Sequence, residues 1–137
     1  IAIMTEMVHD TRIIRMNATE HPPKSVRQWM GDSIGRWEGD TLVVETTNFH
    51  PLQAYRGASE NLKVIERFAR TSQDTILYKF TIEDPTTWVS SWSGQVPFNR
   101  MDDLIYEYAC HEGNYALANV LSGERDKERR DAEKKKQ

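Results

Sequence analysis

The chain has 137 residues, 38% hydrophobic and 28% charged, with a net charge of −3 and a pI near 5.8. That length suits one domain with its own core, burying roughly two thirds of the surface exposed by the unfolded chain. The acidic balance leaves no basic footprint for nucleic acid, no apolar run approaches the roughly 20 residues that span a bilayer, and the single Cys110 excludes an internal disulfide.

Ile1 to Met7 reads as a strand entered abruptly, without the basic lead-in and long apolar stretch of a signal peptide. An upstream portion of the natural chain is therefore expected to be missing or removed. Thr11 to Met16 is β-branched and reads as a strand, followed by a polar loop that contains Pro22-Pro23. Ser25 is placed to cap one helical turn through Trp29. Ile34 to Trp37 and Thr41 to Phe49 then flank Glu38-Gly39-Asp40, the pattern of a hairpin in which Gly39 or Asp40 supplies a positive φ.

A second hairpin runs from Leu62 to Arg70, turns at residues 71–74, and returns from Thr75 to Glu83, where Asp84-Pro85 ends it. Trp88 to Ser93 predicts a further strand, Val96 to Asp103 a loop, and Leu104 to Ala109 a last short strand. Beyond Gly113 the period changes: Tyr115, Leu117, Ala118 and Leu121 share a helical stripe expected to dock on the sheet. From Gly123 the residues are almost all polar, with i,i+4 charge pairs, so 123–137 is expected to be a frayed helical tail. The expected fold is mainly β: an antiparallel meander forming a curved sheet or half-open barrel of lipocalin-like shape over 1–122, with a C-terminal helix.

Alternation along the second hairpin points to a site. Leu62, Val64, Glu66 and Phe68 share a face, and Ile76, Tyr78, Phe80 and Ile82 share the partner face. Glu66 stands in an otherwise apolar row, and a bare buried charge costs several kcal/mol. Three readings follow: a structural ion pair with an arginine such as Arg12 or Arg36, a carboxylate lining a pocket, or a bulge that turns it to solvent.

His21 and His50 precede prolines and are expected in exposed loops, whereas His9-Asp10 and His111-Glu112 set an imidazole beside a carboxylate at strand ends. Tyr106 to Tyr115 is the densest run of chemically able side chains, and Cys110 within it reads as a buried thiol, a partner for a cysteine of the missing segment or of another chain, or a reactive group. Trp88 and Trp92 could stack on a sugar or aromatic ligand, and Arg56 could meet an anionic or polyhydroxyl one.

These residues lead to a small-molecule or saccharide-handling barrel. Its catalytic candidates are His9, Glu66, Tyr106 and His111, and its binding candidates are Asp10, Arg56, Trp88, Trp92 and Glu112. Acid–base chemistry by His with Glu or Tyr is the expected type if the protein is an enzyme, and no cofactor is called for. Two other readings compete with it. One is an interaction module pairing through the exposed first strand, as a homodimer would. The other is a metal-dependent enzyme using His9 and His111, although no established ligand spacing is present.

The segments Gly31-Asp32-Ser33-Ile34-Gly35-Arg36-Trp37-Glu38-Gly39-Asp40-Thr41-Leu42-Val43-Val44, Tyr106-Glu107-Tyr108-Ala109-Cys110-His111-Glu112-Gly113-Asn114 and Thr5-Glu6-Met7-Val8-His9-Asp10 resemble a family of uncharacterised exported bacterial proteins. The resemblance extends to about Gly123. It implies a periplasmic or secreted protein and a chain that begins partway into its domain, and it implies no activity.

Overall fold

A computed structural model of the chain describes residues 1–53, 55, 57–106, 108, 113 and 115–134. Seven strands form one open sheet in chain order: β1 (Ala2–Met4), β2 (Thr11–Arg15), β3 (Asp32–Glu38), β4 (Thr41–Thr47), β5 (Lys63–Arg70), β6 (Thr75–Glu83) and β7 (Trp92–Asn99). The sheet curls into a half-barrel, as the sequence pattern predicts. Every pairing is antiparallel except β2–β3, which is parallel. That pairing corrects the expectation of a purely antiparallel meander. Parallel neighbours need a crossover of about a dozen residues or more, and the polar stretch 16–31 is long enough to return the chain to the start of β3.

The β3–β4 hairpin turns through Gly39 and Asp40, with Gly39 at φ 58°. A side chain is disfavoured in that left-handed region, so glycine at the first central position matches the tight turn. The β5–β6 turn falls at residues 71–74 as the sequence predicts, and pairs Val64 with Ile82, Glu66 with Phe80 and Phe68 with Tyr78.

Register then sorts the side chains into two faces. One face, here called inner, carries Ile14, Gly35, Leu42, Val44, Glu66, Phe68, Tyr78 and Phe80. Its packed centre is Ile14, Leu42 and Val44, with Ile3, Met16 and Phe68 against them. Gly35 permits this closeness, because a Cβ there would lie 2.6 Å from Ile14 Cγ2 and 2.8 Å from the Met16 sulfur. On the outer face, Val43 is fully buried between its register partners Arg36 and Arg67, whose guanidinium groups both reach Glu38. Their alkyl stems are available to cover the valine.

Three local expectations are corrected. The segment after Ser25 makes no helical turn; Gln28 instead forms an isolated parallel bridge with Phe49. The strand expected at Trp88 to Ser93 begins only at Trp92 and runs to Asn99, through residues expected to be loop. Pro97 is tolerated there because β7 is an edge strand, where a missing N–H breaks no interior ladder. Leu104, Ile105, Tyr106 and Tyr108 carry no strand.

The chain divides into two compact units, Ile1–Ile105 and Tyr106–Gln137. In the second, one helix, α1 (Ala116–Lys134), runs unbroken through Gly123 and buries none of its residues. Lys127 pairs with Glu124, and Arg129 with Asp126, one turn apart. Among the described residues no helix is long and apolar enough to cross a membrane.

Candidate functional site

Glu66 is 4% exposed in the middle of β5, and the inner face supplies its partners. Arg12, from β2, donates Nη1–H to Oε2 at 2.6 Å and Nη2–H to Oε1 at 3.0 Å, a two-pronged contact. The Tyr78 hydroxyl donates to Oε1 at 2.9 Å. Tyr78 reaches it because it lies diagonally across the β5–β6 ladder, two residues from Phe80, the direct partner of Glu66. Burial, and then the adjacent Glu66 charge, push the Tyr78 phenol well above its ordinary value of 10.0, so it stays protonated and donating. Of the three readings of Glu66, the structure shows the ion pair with Arg12.

Above this pair lies a cavity of about 310 Å³ lined by Arg12, Phe49, Gln53, Tyr55, Leu62, Val64, Tyr78, Phe80 and Ile82. Its size is at the lower end of the range for small-molecule sites, and its walls are mainly apolar and aromatic with a few polar groups, the usual make-up of such sites. The Phe80 ring is held over Gly94, its cross-strand partner, so closely that a Cβ on Gly94 would come within 2.6 Å of the ring. The aromatic row continues on both sides of Phe80. Tyr78 lies 5.0 Å from Phe98 and 4.9 Å from Phe68 between ring centres, and Phe80 meets Trp92 edge-on at 5.8 Å.

The sequence-predicted residues are distributed as follows. Glu66 does not line this cavity but holds two residues that do, Arg12 and Tyr78. Trp92 contacts it indirectly, stacking on Tyr55 at 6.3 Å and meeting Trp88 edge-on at 6.1 Å. His9 is exposed in a single 3-10 turn between β1 and β2, with φ 59°, and Asp10 is half-buried, its carbonyl accepting from the Thr5 N–H and hydroxyl. Tyr106 belongs to the second unit and is exposed. Arg56, Cys110, His111 and Glu112 lie outside the described residues. Among the described residues, no group of three or more His, Cys, Asp or Glu side chains could hold a metal ion.

The expectation that His21 is an exposed loop residue is corrected. Its ring is mostly buried on the outer face, with Nδ1 2.6 Å from Asp32 and Nε2 3.5 Å from Glu45. The two carboxylates take opposite ring nitrogens and so do not converge on one point. Arg15 also grips Asp32, and Lys63 grips Glu45 at 2.8 Å. Burial works to raise the Asp32 carboxyl, but hydrogen bonds from Arg15 and His21 outweigh it and hold the group below 3.8. Nε2 is buried and faces Glu45 without forming a hydrogen bond to it, so the contact with Asp32 is the one that ties the 16–31 crossover to the sheet.

A third polar knot closes the β6–β7 connection. Burial would raise the Asp84 carboxyl, but hydrogen bonds from Thr86, the Ser59 N–H and hydroxyl, and Thr87 hold it far below its ordinary value. This loop anchors the segment before β5 and thereby one wall of the cavity at Leu62.

Sequence reasoning missed Phe49, Gln53, Tyr55 and Tyr78 as lining residues. Tyr78 was within reach, since alternation sets it on the face of Glu66. Phe49 and Tyr55 were not, because the loop after β4 has no period that says where it folds. Comparison of the chain with known protein families, curated proteins and solved structures finds no match.

Proposed function

We propose that this half-barrel binds a small, largely apolar molecule in the cavity over Arg12 and Glu66. The observation that carries the reading is the aromatic and aliphatic lining around one cation and one amide among the described residues, Arg12 and Gln53. A saccharide would need many more hydrogen-bonding groups than these walls offer, so a flat hydrophobic body is the better fit. Binding also accounts for the site better than acid–base catalysis, because both oxygens of Glu66 are already engaged by Arg12 and Tyr78. The family resemblance adds that this occurs outside the cytoplasm.

The test uses N-phenylnaphthylamine, an uncharged dye that brightens in apolar sites. The intact chain is expected to give a saturable rise in fluorescence. Val64→Trp, which fills the cavity from one wall, is expected to abolish that rise while leaving the β-type circular dichroism intact. Undiminished saturable binding in a folded Val64→Trp protein would rule the cavity out as the site.

A second reading, strand pairing with another copy, draws on the β7 edge, where Val96 and Phe98 are 45% and 47% exposed. Sedimentation showing a dimer that Val96→Lys dissociates would favour it.

A further inference from the structure

We infer that the molecule bound over Arg12 carries an uncharged hydrogen-bond acceptor, such as a ketone, ester or amide carbonyl, on its flat apolar body. The inference rests on reading the cavity as a ligand site and concerns the chemistry of the ligand's polar end. Among the described residues, Arg12 is the only charged one lining the cavity. A guanidinium has five N–H donors and no acceptor, and Arg12 uses one on each terminal nitrogen for Glu66. The other three have no partner among the described residues. The Tyr78 hydroxyl proton is directed to Glu66, so it does not compete for that role.

Charge decides between an anionic and a neutral acceptor. The positive charge of Arg12 is already balanced by Glu66, whose oxygens lie 2.6 and 3.0 Å from the guanidinium nitrogens. A ligand carboxylate would surrender its hydration to approach a pair of zero net charge, with the Glu66 carboxylate just behind the cation. The penalty for burying a third charge is large and finds little compensation. A carbonyl loses far less on leaving water, and a charge-assisted hydrogen bond from Arg12 more than replaces it. A ligand with no polar atom would fill the walls yet leave those three donors without an acceptor.

Three probes of one shape separate these cases: naphthyl methyl ketone, naphthalene and naphthoate, each measured by equilibrium dialysis at neutral pH. The ketone is expected to bind at least about tenfold more tightly than either of the others, the size of one hydrogen bond to a charged group. In the double variant Arg12→Met/Glu66→Leu the ketone's advantage over naphthalene is expected to vanish, while naphthalene itself still binds. Naphthoate binding tightest, or ketone and naphthalene binding alike to the unaltered protein, would overturn the inference while leaving the cavity a ligand site. Absence of binding by all three would defeat both readings. The ranking on the unaltered protein decides the matter even where the double variant does not fold.

Discussion

On the inner face, Arg12 and Glu66 meet in an apolar setting with side-chain exposures of 16% and 5%. On the outer face, Glu38 is shared between Arg36 and Arg67, all three well exposed. Both are Arg–Glu contacts with a shortest distance of 2.6 or 2.7 Å. Their consequences differ because water screens one and is largely excluded from the other. The outer contact can be broken and each ion simply rehydrates. The inner contact leaves whichever partner remains as an uncompensated charge among Phe68, Phe80 and Tyr78. The similar geometry of the two pairs therefore says little about their energetic weight, and burial says most of it. Between these extremes stands the outer cluster of Arg15, Asp32, His21, Glu45 and Lys63, where Asp32 is buried but Arg15 reaches solvent.

The sharpest way to break the comparison is Arg12→Met, which strands Glu66. It is expected to lower stability by about 3–5 kcal/mol, read as a fall in the urea midpoint with unchanged slope. Adding Glu66→Leu removes the stranded charge and is expected to recover most of that loss. If the double variant is no more stable than the single one, the inner pair is not governed by desolvation.

An intermediate effect is expected at Asp32. Its carboxyl is held below 3.8 in the folded chain, so its stabilising contribution is fully present above that value and is lost as pH falls through the folded value. Asp84, depressed further by its hydroxyl and N–H donors, acts with the same sign and is lost at still lower pH. Asp32→Asn is expected to cost about 1–3 kcal/mol at neutral pH. It should also flatten the decline of the urea midpoint between about pH 5 and about pH 2. An equally steep acid decline in the variant would assign the pH dependence to other carboxylates.

The smallest effect is expected on the outer surface. Glu38→Gln should leave the urea midpoint unchanged within error, and raising the salt concentration should make no further difference. A clear loss would mean that Glu38 holds the two arginine stems over Val43, a packing role beyond charge pairing.

The amphipathic hairpins were open to reading from the residues alone. Alternation set Glu66 among Val64, Phe68, Tyr78 and Phe80, and Gly39 and residues 71–74 marked turns through their own local chemistry. Period and turn signals are properties of neighbouring residues, so they survive without knowledge of the rest of the fold. The same reasoning named Arg12 or Arg36 as partners for Glu66 but had no means to choose. Strand β2 lies beside β3 in parallel, an arrangement made by the long 16–31 crossover, and that pairing directs Arg12 inward while Arg36 faces outward.

His21 shows the same limit from the other side. A histidine before two prolines looks like a loop residue, and it is one, yet the crossover folds it between Asp32 and Glu45. The strand at Val96 to Asn99 was hidden by Pro97, because only its place at the sheet edge makes a proline acceptable there. Sequence by itself thus determined the amphipathic hairpins, the faces of β5 and β6, and the presence of one carboxylate in an apolar row. Tertiary structure alone decided which arginine neutralises that carboxylate and which loop residues wall the cavity. Those are contacts between segments far apart in the chain, set by crossover and register rather than by local periodicity.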